Sequence, residues 1–278
     1  MAAGMGLPMV SCGSNDSGSG TDKRQVVDWR ICTLNHAVRI ATGEVESVDI
    51  NDQAMTIDYT NSKLLSLSLL NSIPRSTKPD LLVSNVPMTK SETRALYRFN
   101  QPTPVSEFVT SLKGYIDFDN QRAKFDYVES NTWRVISIVG GGQAGVPELN
   151  FDNNTTRMTR EGQDYSSLGV LCSFAINPVT NRATVKLMNF TFGDTSANFT
   201  QIVTEAATPA TVEATTDGFR ITGEALRTFA YHRNSDPQKP ISDFVIDDLV
   251  ADINLDSETL TLSMKLNDYT VTIEGGVR

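Results

Sequence analysis

Alternation of apolar and polar residues restricts the fold of this chain more than any other feature. Residues 260–266 read LTLSMKL and residues 269–273 read YTVTI, so every second side chain is apolar. A period of two places those side chains on one face of a β-strand. Residues 125–127 and 133–135 repeat the pattern in the first half of the chain, where Asp and Arg stand between large apolar residues. The sequence therefore predicts strands with one buried face.

Short polar clusters separate these apolar segments. They read INDQA at 50–54, FDNQR at 118–122, PVTNR at 178–182 and LDSET at 255–259. Because Asp and Asn side chains accept turn geometry, each cluster predicts the turn of a hairpin.

Helix signals are scarce. The segments SETRALYRF from Ser91 and GEALRTFAYHR from Gly223 are each predicted to form one to three helical turns, with Ser91 as a candidate N-cap. Many short strands with few helices predict an all-β fold of antiparallel sandwiches or small barrels.

An internal repeat suggests two similar units. Residues 104–109 (PVSEFV) and 240–245 (PISDFV) match at an offset of 136. The similarity continues from 112–119 to 249–256, from 123–128 to 260–265 and from 132–141 to 268–276, and a weaker similarity joins 48–59 to 174–187.

The repeat predicts a division of the chain. We expect a signal remnant and tether at 1–23, one β module at 24–142, a linker or long loop at 143–162 and a second β module at 163–278. If each repeat instead supplied half a barrel, the chain would be one domain. Duplication predicts that Phe108, Phe118 and Val135 superpose on Phe244, Leu255 and Val271.

Composition limits the partners. The chain has 24 Lys+Arg and 33 Asp+Glu, which gives a formal net charge of −9, so nucleic acid is not an expected partner. No apolar stretch of about 18 residues is present to span a bilayer as a helix. Cys32 and Cys172 are expected to be buried, unpaired small hydrophobic residues.

Motifs for catalysis, metals and cofactors are weak. His36 and His232 lack metal-ligand spacing and are expected to be structural or surface residues. Gly140, Gly142 and Gly145 spell GxGxxG, but Pro147 makes the required phosphate-binding helix improbable. We therefore expect no cofactor, no metal and no catalytic residue, although a carboxylate pair from distant strands would leave no local motif.

Two further side-chain sets are interpreted as structural. One set is an alternating acidic row formed by Asp252, Asn254, Asp256 and Glu258. The row lacks the glycine turn of a calcium loop, so we expect it to be the outer face of a strand. The same is expected of Asp117 and Asp119. Trp133 and Tyr269 could form a platform for sugars, but both share a face with Val, so core packing is expected.

The N-terminal segment indicates a location. Residues 7–12 read LPMVSC and lead into GSNDSGSG at 13–20, which has no apolar side chain to bury. The segment resembles the lipoprotein signals of Bacteroidetes, which implies that Cys12 is acylated and anchors the protein in the membrane. No Lys or Arg precedes Cys12, so a basic signal region would lie upstream of residue 1; otherwise the cysteine is incidental.

The whole chain resembles envelope lipoproteins of gut Bacteroidetes with calycin-like β modules, which implies an outer-membrane or cell-surface location. We expect a non-catalytic binding or structural protein whose partner is a glycan, a peptide or another protein. The alternative is a lipocalin-like carrier with an apolar ligand in its interior, and a glycan-active hydrolase is the less favoured possibility.

Overall fold

The computed structural model describes residues 24–60, 64–69, 81–141, 147–167, 169–191, 198–232 and 244–277. These residues form twenty β-strands and no helix, so the chain is all-β as predicted. The described part of the chain accordingly has no helix with the length and apolar character that crossing a bilayer requires.

The first eight strands form a closed antiparallel barrel. Each strand pairs with the next along the chain, and the eighth pairs with the first to complete the closure. The strands are β1 (Arg24–Arg39), β2 (Val45–Thr60), β3 (Leu64–Leu69), β4 (Leu81–Lys90), β5 (Leu96–Gln101), β6 (Val109–Asp117), β7 (Arg122–Glu129) and β8 (Trp133–Gly141).

The other twelve strands form one antiparallel sheet, called the second sheet below. They are β9 (Glu148–Phe151), β10 (Asn153–Arg160), β11 (Gln163–Ser167), β12 (Leu171–Asn177), β13 (Arg182–Thr191), β14 (Asn198–Thr204), β15 (Ala210–Thr215), β16 (Gly218–Gly223), β17 (Leu226–His232), β18 (Val245–Asn254), β19 (Thr259–Leu266) and β20 (Tyr269–Gly276). The order is β11-β10-β20-β19-β18-β16-β15-β13-β12-β9, and β14 and β17 form a second connection between β13 and β18.

Two cores follow from the strand alternation. Inward side chains of the barrel fill its interior, and the largest of them, Phe125 and Tyr127, are fully buried. On the outer face of the barrel, Leu34 and Ile136 pack into the hydrophobic core of the second sheet. The part of the barrel wall that carries Leu34 and Ile136 therefore has apolar contacts on both its inner and its outer face.

The predicted strand faces are confirmed where the alternation is regular. In β19 the residues Leu260, Leu262, Met264 and Leu266 are buried and the residues between them are exposed. In β7, by contrast, Lys124 and Asp126 are buried along with their apolar neighbours. A single buried face was the wrong expectation for β7, because the second sheet covers its outer side.

Three of the four predicted turns are confirmed. The clusters at 118–122, 178–182 and 255–259 join β6 to β7, β12 to β13 and β18 to β19. The cluster at 50–54 lies inside β2, where the pairing with β1 shifts register between Ile31 and Thr33. There one extra residue of β2 is accommodated by a β-bulge instead of a turn.

Both helix predictions are wrong. After a short bend at 92–95, β5 begins at Leu96, and Tyr97 and Phe99 point into the barrel core. In β17, Leu226, Thr228 and Ala230 are buried with a period of two. Packing of alternate side chains thus outweighs the helix propensity of these segments.

The predicted linker at 143–162 is also wrong over most of its length. Residues 148–151 and 153–160 form β9 and β10, and β10 pairs with β20 along seven residues. The only large apolar side chain of β10 is Met158, so the apolar periodicity is too weak to predict a strand there.

Three of the aligned pairs of segments lie on strands in both halves of the chain. The segments at 112–119, 123–128 and 132–141 belong to β6, β7 and β8, and their counterparts belong to β18, β19 and β20. Both sets are antiparallel meanders, and Val135 and Val271 are fully buried. The weaker similarity fails, because 48–59 lies on the single strand β2, whereas 174–187 spans the turn between β12 and β13.

Candidate functional site

A cleft of about 310 Å³ opens between the barrel and the second sheet. Strands β6 to β8 form its barrel side, whereas β9 and the turn between β18 and β19 form the opposite side. Its apolar lining includes Cys32, Ala123, Ile138, Leu149, Phe151 and Leu255. Its polar lining includes Tyr115, Asn120, Arg122, Glu148, Asn150 and Glu258. A concave apolar surface with a few polar groups is the usual form of a ligand site.

Gly114 brings the two barrel strands under the cleft close together. Its φ is +156°, and a Cβ at this position would collide with the backbone carbonyl oxygen of Lys124. The next residue, Tyr115, points outward into the cleft because side chains alternate along β6.

A buried lysine fixes one wall of the cleft. Lys124 Nζ donates a hydrogen bond to the carbonyl oxygen of Leu255 (2.6 Å) and forms an ion pair with Glu258 Oε1 (3.0 Å). Only 7% of the surface of Lys124 is exposed, so the ammonium group is largely removed from water. The buried Lys124 ammonium group thereby joins the barrel to the β18–β19 turn, where the Leu255 carbonyl and the Glu258 carboxylate both accept from it.

An ion network continues from this lysine along the junction. Asp126 accepts two hydrogen bonds from Arg134 (3.1 and 2.7 Å) and forms an ion pair with Lys113 (3.1 Å). Asp256, in the β18–β19 turn, forms ion pairs with Lys113 (2.9 Å) and Arg134 (2.6 Å). Hydrogen bonding to Lys113 is the main cause of the lowered pKa of Asp256.

Glu148, at the start of β9, is held as a carboxylate. Burial acts to raise its pKa, but hydrogen bonds from Lys186 (2.9 Å) and Ser173 (2.8 Å), together with the charges of Lys186 and Arg122, outweigh burial, so the pKa is lowered. A general acid needs a raised pKa. Glu148 therefore lacks the property expected of the acid in a glycosidase pair.

Arg122 is positioned by a neutral partner. In the amide orientation that the surrounding donors and acceptors require, the Asn150 oxygen accepts hydrogen bonds from both Arg122 Nη1 (2.7 Å) and Nη2 (2.6 Å), and the nitrogen donates to Ser173 Oγ (2.9 Å). This orientation satisfies both polar atoms of the amide. The guanidinium group is thus fixed without a carboxylate partner at this contact.

Tyr115 lies between two arginines. The guanidinium carbon of Arg98 is 5.6 Å from the centre of the Tyr115 ring. Burial, followed by the charge of Glu258, raises the pKa of Tyr115 to about 12, although Arg122 and Arg98 oppose the shift. The phenol is therefore neutral at physiological pH and able to donate a hydrogen bond.

The cleft continues along the junction. A cleft of about 400 Å³ shares Arg122 and Asn150 with the first and adds Arg98 and Lys186. Together these spaces form a groove whose walls come from both the barrel and the second sheet.

His36 is at the junction but outside the cleft lining. Its Nδ1 is 2.8 Å from Ser47 Oγ, and its ring packs edge-on against Phe219 of the second sheet at 5.2 Å between centroids. Burial lowers the pKa of His36 to about 4, and the backbone of Thr216 and Thr215 opposes this shift only in part. The His36 side chain is thus structural. The side chain of His232 is not among those that the structure describes.

The acidic row does not gather around one point as calcium ligands would. Asp252 is 3.5 Å from Arg220, Asn254 accepts backbone hydrogen bonds in the β18–β19 turn, and Asp256 and Glu258 reach the barrel cations. Within the described ranges, no group of three or more His, Cys, Asp or Glu could hold a metal ion.

The expectation for Asp117 is wrong, because this residue is only 7% exposed. Its carboxylate accepts hydrogen bonds from the backbone N–H groups of Asp119 (3.1 Å) and Asn120 (3.2 Å) and from Asn120 Nδ2 (2.8 Å). Asp117 therefore stabilises the β6–β7 turn beside the cleft. Asp119 is exposed, as expected.

Several other interpretations are confirmed. Trp133 and Tyr269 are buried core residues, and Cys32 and Cys172 are buried and take part in no disulfide. Burial raises the pKa of the Cys172 thiol to about 12. The lipid-anchor residue Cys12 and the motif residues Gly142 and Gly145 lie outside the described residues.

Some residues of the cleft lining, such as Cys32, Asn254 and Glu258, were expected to be structural, and its polar residues Tyr115, Arg122, Glu148 and Asn150 were not singled out by the sequence. Arg122, in a turn cluster, and Asn150, in the supposed linker, carried no recognisable motif. The available signal was the polar outer face of β6 and β7, where Lys113, Tyr115 and Lys124 alternate with core residues.

Comparisons with known proteins identify no family. No protein-family profile matches the chain, and no curated protein sequence does. Among solved structures, the chain is similar to the isotype 1 transferrin binding protein B from serogroup B Neisseria meningitidis, with 7% identity and a TM-score of 0.24. The match covers 92% of this chain and 77% of that chain. A TM-score this low supports no inference about function, so the all-β description rests on the strands themselves.

Proposed function

We propose that this protein is a non-catalytic binding protein of the bacterial cell envelope, and that its ligand occupies the cleft between the barrel and the second sheet. The ligand would be a glycan or a peptide, including an exposed segment of a protein partner. One observation carries the proposal: an accessible cleft with both apolar and polar lining lies at this junction, whereas the barrel interior is filled by side chains.

The filled interior counts against the alternative of a lipocalin-like carrier. Side chains that line a ligand-sized lumen keep some surface accessible to water, but Met55, Ile57 and Leu65 each have 0% exposure. In addition, Phe99 and Phe125 stack across the interior with centroids 5.9 Å apart. An eight-stranded barrel is narrow enough for side chains alone to fill it.

Charge pairing supports a non-catalytic role. The two carboxylates that line the 310 Å³ cleft, Glu148 and Glu258, each form an ion pair with a lysine. Such pairing suits a rigid binding surface better than proton transfer, which needs a group that gains and loses a proton near neutral pH.

The binding proposal is tested by blocking the cleft. Val277 is an exposed residue of its lining, so Val277→Trp would place an indole in the cleft without removing a buried side chain. Val179, in the β12–β13 turn, is also exposed, and Val179→Trp is the matched control. We expect wild-type protein and the control to bind the same members of an array of oligosaccharides and short peptides, and Val277→Trp to lose them.

Two results would contradict the proposal. One is unchanged array binding by Val277→Trp. The other is turnover of an oligosaccharide that disappears in Glu148→Gln or Glu258→Gln, because that result would show catalysis.

The anchor is tested separately by cell fractionation. In the gene with its natural upstream sequence, Cys12→Ser should move the protein from the membrane fraction to the soluble fraction. The control Cys32→Ser, at a buried cysteine, should leave the protein with the membrane. Retention of the Cys12→Ser protein in the membrane fraction would rule out acylation of Cys12 as the anchor.

A further inference from the structure

Two guanidinium groups beside the cleft, those of Arg98 and Arg122, contact neutral side chains. In the part of the chain that the structure describes, neither Arg98 nor Arg122 forms an ion pair, although the whole chain has 33 acidic residues. Arg98 contacts the ring of Tyr115, and Arg122 contacts the amide oxygen of Asn150. Both neighbours are neutral, so the two positive charges are not compensated by direct contact.

The nearby acids are already engaged. Glu148 pairs with Lys186, Glu258 pairs with Lys124, and Asp117 accepts three hydrogen bonds within the β6–β7 turn. Glu148 and Glu258 each form an ion pair with a lysine, so Arg122, whose charge helps to lower the pKa of Glu148, forms no ion pair of its own among the described residues. An anionic ligand would therefore meet an available guanidinium there.

Arg122 is also oriented before any ligand binds. Two hydrogen bonds from its Nη atoms to one amide oxygen restrict the planar guanidinium group, and Ser173 holds that amide from the other side. A preoriented guanidinium loses little conformational entropy on binding and suits the two oxygens of a carboxylate.

From this geometry we infer that the cleft recognises the carboxylate of an organic acid, with Arg122 facing the carboxylate, Arg98 adding positive charge from the adjoining 400 Å³ cleft, and the apolar lining, including Leu149, Phe151 and Leu255, covering the rest of the ligand. The inference rests on the proposed function, because it names the ligand chemistry of the same cleft. The carboxylate could belong to a free acid or to the C-terminus of a peptide.

Calorimetric titration with a matched pair of probes tests the inference. We expect 3-phenylpropionate to bind at least about tenfold more tightly than 3-phenylpropionamide, which has the same shape without the charge. A short peptide ending in Phe, with a free or an amidated C-terminus, then distinguishes the two sources. If the peptide with a free C-terminus binds more tightly than 3-phenylpropionate, the natural ligand is the C-terminus of a peptide. If 3-phenylpropionate binds more tightly, the natural ligand is a free acid. Both outcomes support carboxylate recognition.

One substitution tests the role of the neutral amide. Asn150→Asp keeps the shape of the side chain but gives Arg122 a carboxylate partner, so we expect 3-phenylpropionate to bind at least about tenfold more weakly. The control Asn177→Asp makes the same change in net charge in the β12–β13 turn, where the Asn177 side chain accepts a hydrogen bond from the backbone of Thr180. We expect this control to bind 3-phenylpropionate as tightly as the wild type does. We also expect both variants to bind 3-phenylpropionamide as the wild type does.

Specific results would overturn the inference. Equal affinity of the acid and its amide, with both lost in Val277→Trp, would refute carboxylate recognition while leaving the binding cleft in place. Failure of every carboxylate probe to bind, or equal weakening by Asn150→Asp and Asn177→Asp, would also refute it. Unchanged array binding by Val277→Trp, by contrast, would refute the cleft itself.

Discussion

Lys124 of the barrel donates a hydrogen bond to the backbone carbonyl oxygen of Leu255, 131 residues later in the chain, at 2.6 Å. The acceptor is backbone, so its position depends on the β18–β19 turn and not on a flexible side chain. Glu258 holds the same ammonium group from a second direction at 3.0 Å. This contact connects the barrel to the second sheet beside the candidate site.

Removing this lysine should weaken the whole protein. Lys124→Met leaves the Leu255 carbonyl and the Glu258 carboxylate without their partner, so we expect the free energy of unfolding in urea to fall by roughly 1–3 kcal/mol. The control Lys265→Met removes an exposed lysine paired with Asp248 and should have little effect. Equal stability of the two variants would contradict a structural role for Lys124.

Acidification should destabilise the junction through His36. Its pKa is about 4 in the folded protein and about 6.5 when unfolded, so the unfolded chain binds more protons between these values. Stability should therefore fall as the pH decreases from about 6.5 to about 4, by up to roughly 3 kcal/mol from this residue. Urea unfolding at a series of pH values measures the change.

The matched variant for this pH effect is His36→Gln, which has no titratable ring. Its stability should decline less than that of the wild type over the same pH range. Identical pH dependence of the two proteins would contradict the assignment of the effect to His36.

Gly114 should tolerate no larger side chain. Gly114→Ala places a Cβ against the Lys124 carbonyl, so β6 and β7 must separate, and we expect a loss of at least about 1–3 kcal/mol in thermal or urea unfolding. Gly162→Ala is the control, because Gly162 also has a positive φ (+77°) but a Cβ added there would have no atom within 4 Å. Equal losses of stability in the two variants would show that the positive φ, and not the close approach of β6 and β7, causes the destabilisation.

The two cores should respond alike to cavities. Phe125→Ala in the barrel and Leu262→Ala in the second sheet each remove a buried side chain, so losses of about 3–5 and about 2–5 kcal/mol are expected. Val179→Ala, at an exposed turn position, should change stability by less than about 0.5 kcal/mol. An effect near zero at Phe125 or Leu262 would contradict the assigned strand faces.

Local alternation was sufficient to predict much of the fold. β18 to β20 have one apolar and one polar face, and Asp- or Asn-containing turns separate the strands, so each segment specifies its own structure. β5 and β10 were missed for a different reason. β5 contains helix-forming residues such as Leu96 and Arg98, and β10 is polar, with Met158 as its one large apolar residue. Both segments become strands because neighbouring strands supply their packing and hydrogen bonds.

The candidate site was much less predictable. A polar residue on the outer face of a barrel strand gives the same pattern whether it faces solvent or another sheet. Lys124 and Asp126 therefore look solvated in the sequence but are buried in the fold. Likewise, Arg122 and Asn150 meet only through tertiary structure, and no local spacing records their contact.

The location of bound ligand tests the central claim most directly. Hydrogen exchange of the backbone amides, measured with and without saturating 3-phenylpropionate, should show protection at residues 148–151 of β9 and at 254–258 of the β18–β19 turn. The barrel strands around Ile57 and Leu65 should be unchanged. Protection confined to those inward barrel positions, with none at the cleft, would contradict the account and favour an interior carrier.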